Sequence, residues 1–165
     1  PFKGCLYFGL MLTPDGPKVI EYNCRFGDPE TQVVLPLLES DLLTVMQATT
    51  NGTLAETEVK FRDGAAACVI LASGGYPLSY EKGKEITGLT EGQLPDCAGV
   101  TVYHAGTALK DGVLVTSGGR VLGVTATADT LAEALKSAYA ASENIHFDKL
   151  HKRSDIGARA LAAMQ

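Results

Sequence analysis

Apolar, strand-prone residues dominate the beginning of the chain and are interrupted once by turn-forming ones. Residues 5–12 and residues 18–24 each predict a β-strand, because apolar and β-prone side chains fill both runs. Between them lies the sequence Thr-Pro-Asp-Gly-Pro, at residues 13–17. Glycine permits a positive φ and proline presets a negative one, so this segment predicts a hairpin loop.

A helical spacing of apolar residues follows the second strand, between residues 33 and 46. Asp28 and Pro29 precede it and predict a helix start, with Asp28 as the N-cap and Pro29 in the first helical position. Pro36 lies inside the stretch and predicts a kink or a break into two helices. Gly52 predicts the C-terminal cap.

Short strands and glycine-rich turns characterise the rest of the chain, beyond a polar and weakly periodic linker at residues 53–64. Strands are predicted for residues 65–72, 100–104, 113–116 and 120–127. The last two of these strands flank Ser117-Gly118-Gly119, which predicts a hairpin with a glycine turn.

Two capping signals predict helices in this second part. Asp129 or Thr130 starts a helix that runs to about residue 144, and Ser154 or Asp155 starts a last short helix. Since strands and helices are mixed without a regular alternation, we expect an α+β fold.

Length and composition narrow the class of protein. The change to short strands and glycine-rich turns divides the 165 residues into predicted domains 1–58 and 59–165. The formal net charge of −5, without a basic cluster, argues against nucleic acid or an anionic membrane as partner. The longest apolar run, residues 65–72, is too short to span a bilayer. No metal-like spacing links the four cysteines, which predict thiols of a reducing compartment, the cytoplasm: Cys5, Cys24, Cys68 and Cys97.

The second predicted strand carries the residues that suggest chemistry. Side chains alternate along a strand, so Glu21, Asn23 and Arg25 share one face. The other face is mostly apolar: Ile20, Tyr22, Cys24 and Phe26. A carboxylate and a carboxamide oxygen suit Mg²⁺, which fills its remaining positions with water and phosphate oxygens. Arg25 could hold a phosphate or carboxylate, and the helix start at Asp28 could present N–H groups to an anion.

A purely structural explanation of the same strand is equally open at this point. Glu21 and Arg25 could form an ion pair at a sheet edge, with Asn23 in solvent. The glycine-rich segments at residues 73–75 and 117–119 lack the strand–loop–helix order of a phosphate loop and indicate turns.

Residues 21–32, Glu-Tyr-Asn-Cys-Arg-Phe-Gly-Asp-Pro-Glu-Thr-Gln, closely resemble the signature of the phosphoribosylamine–glycine ligase family, also called glycinamide ribonucleotide synthetases. The resemblance continues through residues 73–77, 104–107 and 118–122. ATP-grasp enzymes in general share the Glu-x-Asn pair. Biotin-dependent carboxylases share Glu-x-Asn-x-Arg but continue with Gln-Val-Glu-His, where this chain has Gly-Asp-Pro-Glu.

The resemblance implies the C-terminal part of an ATP-grasp domain followed by a small α+β domain. It also implies an ATP-dependent ligase of de novo purine synthesis, which joins glycine to 5-phosphoribosylamine through glycyl phosphate and releases ADP and phosphate. Glu21 and Asn23 match the magnesium or manganese ligands of the family. We expect Arg25 to stabilise the transferring phosphoryl group or the carboxylate, and Asp28 to orient the glycine ammonium group or cap the helix.

The chain opens with Pro1 in the middle of a strand-like pattern, which suggests a portion of a longer ligase or of a fused purine enzyme. In the family, adenine and phosphoribosylamine are held largely by an N-terminal α/β domain, a lid and the first part of the central domain. We therefore expect these domains of the same polypeptide as partners and an inactive isolated chain. Two alternatives remain: another ATP-grasp ligase or carboxylase, and a non-catalytic α+β binding module.

Overall fold

The computed structural model describes residues 1–164, which form two compact units. The first is Pro1–Arg62 and the second begins at Asp63. Both contain strands and helices, and every pair of neighbouring strands is antiparallel, which confirms the expected α+β class. No helix among the described residues is long and apolar enough to cross a membrane.

The first unit begins with the predicted hairpin. Strand β1 (Tyr7–Thr13) pairs with β2 (Gly16–Asn23), and Gly16 closes the turn at a φ of 95°. The register shifts between Gly9 and Leu10, so one strand bulges there. One face of this two-stranded sheet carries exposed apolar side chains: Phe8, Leu10, Leu12, Val19 and Tyr22. The face opposite the polar residues is therefore apolar, as the alternation predicts, although its side chains are not buried.

Helical structure follows the hairpin in three pieces. These are α1 (Thr31–Val34), a 3-10 helix (Leu35–Leu37) and α2 (Leu42–Asn51). The predicted break at Pro36 is confirmed, because the proline lies in the 3-10 helix that separates α1 from α2. Helix α2 begins at Asp41, whose carboxylate accepts the Thr44 N–H at 2.7 Å, and ends at Gly52 with a φ of 83°.

The predicted helix start at Asp28 is wrong. Residues 28–30 form a turn, and α1 begins at Thr31 with Glu30 in the N-cap position and no side-chain cap. The Thr31 N–H bonds to the Gly27 carbonyl oxygen at 3.1 Å, so a tight turn intervenes before the first helical residue. Asp28 consequently caps no helix.

The predicted linker at residues 53–64 is also more structured than expected. It contains a 3-10 helix, Leu54–Glu56. Residues near its end then pair antiparallel with residues that precede α2, through a bridge between Leu38 and Phe61. The Glu39 N–H bonds to the Lys60 carbonyl oxygen at 2.9 Å, and the Arg62 N–H bonds to the Leu37 carbonyl oxygen at 2.8 Å. Backbone pairing of this kind leaves no visible signal in a polar, aperiodic sequence.

The second unit contains β3 (Ala65–Ser73), β4 (Val100–His104), β5 (Thr107–Lys110), β6 (Val113–Thr116), β7 (Arg120–Ala128), α3 (Leu131–Ser142), β8 (Leu150–His151) and α4 (Ala158–Ala163). Four strands form a sheet in the order β4–β7–β3–β8, and α3 packs on its two central strands. The central strands carry fully buried side chains: Val69, Leu71, Val121, Leu122 and Val124. Burial of their apolar surface provides the main stabilising contribution to this unit.

The predicted hairpin between β6 and β7 is wrong. Strand β6 pairs with β5, a strand that the sequence analysis missed, while β7 lies between β3 and β4 in the larger sheet. The turn between β5 and β6 is Asp111-Gly112, with φ values of 52° and 81°. An Asp-Gly pair with both φ angles positive matches the twist of a two-residue hairpin, so this dipeptide was the stronger signal.

The helix caps of the second unit divide into one correct prediction and one error. Thr130 caps α3, since its hydroxyl oxygen accepts the Glu133 N–H at 3.3 Å and the hydroxyl donates to the Glu133 carboxylate at 2.9 Å. Neither Ser154 nor Asp155 caps α4, which begins after Gly157 at a φ of 77°. Asp155 instead pairs with Arg153 at 2.9 Å.

Replacing Thr130 with alanine is expected to lower the free energy of unfolding by about 1 kcal/mol, because the Glu133 N–H loses its acceptor. Urea denaturation followed by circular dichroism measures the difference. Ser154→Ala is the matched control and should change stability by less than about 0.5 kcal/mol, since Ser154 lies outside the α4 cap. Equal losses in the two variants would contradict the assigned cap.

Candidate functional site

The end of β2 brings Glu21 and Asn23 together. Alternation along the strand places both side chains on one face, and the Asn23 Nδ2 donates to Glu21 Oε1 at 3.0 Å. Glu21 is exposed and Asn23 half-buried, so a ligand could approach both from solvent. Two of the residues predicted from the sequence are therefore neighbours in the structure.

The partner strand shapes the floor beneath this pair. Gly9 lies directly opposite Glu21, and a Cβ atom at Gly9 would lie 3.0 Å from Glu21 Cγ, so the Glu21 side chain lies across the glycine. Tyr7 is the cross-strand partner of Asn23. Burial raises the pKa of Tyr7, and the charge of Glu30, a hydrogen bond to it and the charge of Glu21 raise the pKa further. Both carboxylates thus act on the Tyr7 hydroxyl.

Arg25 lies beyond the end of β2, and the contacts described for it do not include Glu21 or Asn23. Its Nη1 donates to the Phe26 carbonyl oxygen at 2.8 Å. The residue lines a largely apolar cavity of about 530 Å³, whose other walls include Leu42, Val45 and Met46. No ion pair between Glu21 and Arg25 appears in residues 1–164, so the sheet-edge ion pair does not account for these residues.

Asp28 also takes a different local role from the one expected. Its Oδ1 accepts a hydrogen bond from Gln32 Nε2 at 2.9 Å. The anion site expected at the helix start is wrong, because the N–H groups of Thr31, Gln32 and Val33 already bond to backbone carbonyl oxygens. A four-residue helix with these donors occupied offers little to a phosphate.

The glycine-rich segments of the second unit are explained by close packing. A Cβ atom at Gly106 would lie 2.7 Å from the Gly118 Cα, so these two backbones approach directly. A side chain at Gly74 would lie 2.7 Å from the Lys149 carbonyl oxygen. His104 bonds through one ring nitrogen to Thr107 Oγ1 and through the other to the Gly92 carbonyl oxygen, each at 2.9 Å.

The chemistry of the Glu21–Asn23 pair fits a divalent cation. The pair supplies a carboxylate and, once the amide is rotated by half a turn, a carbonyl oxygen in the place of Nδ2. Within residues 1–164 no group of three or more histidine, cysteine, aspartate or glutamate side chains could hold a metal ion. Two protein oxygens are nevertheless enough for a cation that keeps water and phosphate oxygens as its other ligands.

Tyr7, Gly9 and Glu30 lie around this pair and were not predicted from the sequence. The strand pattern gave no usable signal for Tyr7 and Gly9, because the turn at residues 13–16 alone would place them opposite Tyr22 and Ile20. The register shift between Gly9 and Leu10 is what brings them opposite Asn23 and Glu21. Glu30 gave no signal either, since its position depends on the turn at residues 28–30 rather than on strand periodicity.

Two family models match the chain. The model described as "Phosphoribosylglycinamide synthetase, C domain" matches residues 66–159, more than half of the 165 residues. The model described as "Phosphoribosylglycinamide synthetase, ATP-grasp (A) domain" matches residues 1–31, which include the hairpin and the Glu21–Asn23 pair. The expected passage from an ATP-grasp domain to a small α+β domain is therefore confirmed.

Curated relatives and a solved structure point to the same enzymes. The chain is 55% identical over 163 residues to the trifunctional purine biosynthetic protein adenosine-3 of Gallus gallus, covering 98% of this chain and 16% of that protein. It is 52% identical over 157 residues to the phosphoribosylamine–glycine ligase of Caldanaerobacter subterraneus, covering 95% of this chain and 36% of the ligase. The crystal structure of the phosphoribosylamine–glycine ligase of Thermotoga maritima superposes with a TM-score of 0.75 at 43% identity, covering 91% of this chain and 36% of that chain.

The chain thus spans about a third of the length of single ligases and about a sixth of a trifunctional relative. The resemblance inferred from residues 21–32 is confirmed by the model match over the second unit and by identities above 50% along nearly the whole chain. The motif alone left a biotin-dependent carboxylase as the main alternative to the ligase. Neither of these two curated relatives is named a carboxylase. The chain belongs to the phosphoribosylglycinamide synthetase family.

Proposed function

We propose that the polypeptide carrying this chain is an ATP-dependent ligase that joins glycine to 5-phosphoribosylamine through glycyl phosphate, with release of ADP and phosphate. The observation that carries the proposal is the Glu21–Asn23 contact of 3.0 Å on a strand matched by the ATP-grasp model. The names of the relatives support the choice of substrates.

Glu21 and Asn23 would hold one divalent cation, Mg²⁺ or Mn²⁺, through a carboxylate and an amide oxygen. Such a cation neutralises the charge of nucleotide phosphates during phosphoryl transfer to the glycine carboxylate. The protein's own contribution is to keep the two oxygens adjacent, which the strand alternation and the open surface over Gly9 support. Exposure of Glu21 leaves room for phosphate oxygens and water.

Arg25 and Asp28 have secondary roles in the proposal. Arg25 would place its charge near the transferring phosphoryl group or the carboxylate, and Asp28 would orient the glycine ammonium group. Both side chains are exposed and follow the cation strand within five residues, which supports access to a common substrate. Their present hydrogen bonds, to Phe26 and Gln32, would have to exchange for substrate contacts.

The isolated 165-residue chain is expected to bind MgATP weakly or not at all and to show no turnover. The physical reason is that this chain spans 36% of a single-ligase relative, and two oxygen ligands alone do not hold a nucleotide. Titration calorimetry of the chain with MgATP measures the affinity. A dissociation constant in the low micromolar range would contradict this expectation.

Substrate dependence of the complete polypeptide tests the proposed reaction. ADP release that requires both glycine and 5-phosphoribosylamine is the expected result, and omission of either substrate provides the control. ADP release stimulated by bicarbonate instead would identify a carboxylase. Absence of cation-dependent ATP use under all conditions would favour a non-catalytic binding module.

We also propose a reducing compartment, the cytoplasm, for this polypeptide. The support is that all four cysteines are free thiols and that one of them, Cys24, is exposed.

A further inference from the structure

Two further side chains, Tyr7 and Glu30, lie near the Glu21–Asn23 pair. Tyr7 stands directly across the hairpin from Asn23, and side chains of cross-strand partners lie on the same face with about 5 Å between their Cβ atoms. Tyr7 and Asn23 therefore share one face of the hairpin. Tyr7 is half-buried, although four of the other six residues of the same strand are exposed.

Glu30 is the second of these two side chains. Its carboxylate lies against Gly27, which is buried, and any side chain at position 27 would overlap Glu30 Oε2. The absence of a Cβ at Gly27 thus gives the carboxylate its place. Glu30 also hydrogen-bonds to the Tyr7 hydroxyl, which contributes to the raised pKa of Tyr7 after burial.

A structural role in helix α1 does not account for Glu30. The residue occupies the N-cap position, yet its side chain makes no capping hydrogen bond. Helix α1 is four residues long, so its dipole gives a carboxylate little stabilisation. A half-buried carboxylate turned back toward the polar face of the hairpin therefore needs another explanation.

We propose that Tyr7 and Glu30 are positioning residues for the divalent cation held by Glu21 and Asn23. The proposal rests on the proposed function, because it assumes that a cation binds this pair. Gly27 accommodates the Glu30 carboxylate, Glu30 hydrogen-bonds to the Tyr7 hydroxyl, and Tyr7 lies on the same face of the hairpin as Asn23, its cross-strand partner.

Replacing Tyr7 or Glu30 is expected to have a moderate effect on the affinity for the cation. Residues that orient metal ligands without binding the metal typically change affinity by about 10-fold to 100-fold when replaced. Each member here acts at the edge of an open site, so we expect the lower end of that range, about 10-fold. Because Glu30 acts through Tyr7, the two effects should not add.

Binding of Mn²⁺ to the complete ligase, measured by electron paramagnetic resonance of the free ion, tests the proposal without relying on turnover. Tyr7→Phe and Glu30→Ala should each raise the Kd for Mn²⁺ about 10-fold, and the double variant should match either single variant. Tyr22→Phe is the matched control: it removes a hydroxyl from the opposite face of the same hairpin, where Tyr22 packs edge-on against Phe8. Its Kd should equal that of the unmodified protein.

Other outcomes separate failure of the positioning role from failure of the cation site. If Glu21→Gln leaves Mn²⁺ binding unchanged, the cation site itself is wrong. If Glu21→Gln abolishes binding while Tyr7→Phe and Glu30→Ala bind normally, only the positioning role is wrong. A double variant whose Kd for Mn²⁺ rises about 100-fold would also overturn the proposal that Glu30 acts through Tyr7, since the two side chains would then act independently. Thermal unfolding of each variant, with an unchanged midpoint, excludes loss of fold as the cause.

Discussion

Replacing Glu21 with glutamine is expected to lower cation-dependent turnover of the complete ligase by at least about 100-fold. The substitution preserves the size of the side chain and removes the negative charge that would hold a dication against nucleotide phosphates. Asn23→Leu should have a comparable effect, since it removes the second oxygen of the pair. Initial rates of ADP release at increasing Mg²⁺ concentration measure both variants.

Glu58→Gln is a suitable control for the loss of a carboxylate in the same unit. Glu58 is exposed and pairs with Lys60 at 3.1 Å, far along the chain from β2. A surface ion pair of this kind contributes less than about 1 kcal/mol, so its loss should leave turnover unchanged. Turnover of Glu21→Gln equal to that of Glu58→Gln would refute the metal assignment, provided that the circular dichroism spectra agree.

Truncating Leu71 to alanine is expected to cost about 2–5 kcal/mol of unfolding free energy. Leu71 lies in β3, is 0% exposed and packs in the main core of the second unit. Removal of its branched end sacrifices apolar burial and leaves a cavity that neighbours such as Val121 and Leu122 fill only in part. Urea-induced unfolding monitored by circular dichroism gives the free-energy difference.

Leu109→Ala makes the same chemical change on a strand where the side chain is 76% exposed. Its expected effect is less than about 0.5 kcal/mol, because little apolar surface returns to water. Similar destabilisation by the two substitutions would mean that β3 is not at the centre of the core.

Periodicity and capping chemistry were sufficient to predict most of the longer elements of this fold. The β1–β2 hairpin and the Thr130 cap depend on interactions between residues close in sequence, so local pattern carries the information. The β3 strand pairs with distant strands, but its continuous apolar run marks a buried strand by itself. The neighbouring positions of Glu21 and Asn23 follow from the two-residue period of a strand alone. For that reason this part of the candidate site could be inferred before the structure.

Elements decided by contacts between distant residues were not predictable in the same way. Asp28 resembles an N-cap in sequence, but residues 28–30 form a turn, which places the N-cap two residues later, at Glu30. Strand β6 was assigned to the wrong partner, because the choice between β5 and β7 is made by sheet packing. The place of Glu30 depends on a turn and a buried glycine, which no period in the sequence reveals.

The buried apolar side chains are distributed unevenly between the two units. Among residues 1–164, Ala48 is the one buried apolar side chain of the first unit, whereas the second contains the remainder of the core. Local opening requires little free energy where little apolar surface is buried. Backbone amides of β1 and β2 should therefore exchange hydrogen for deuterium much faster than those of β3 and β7. Within these 165 residues, the proposed cation ligands thus lie in the unit with less buried apolar surface, while most of the buried core lies in a unit that offers none of them.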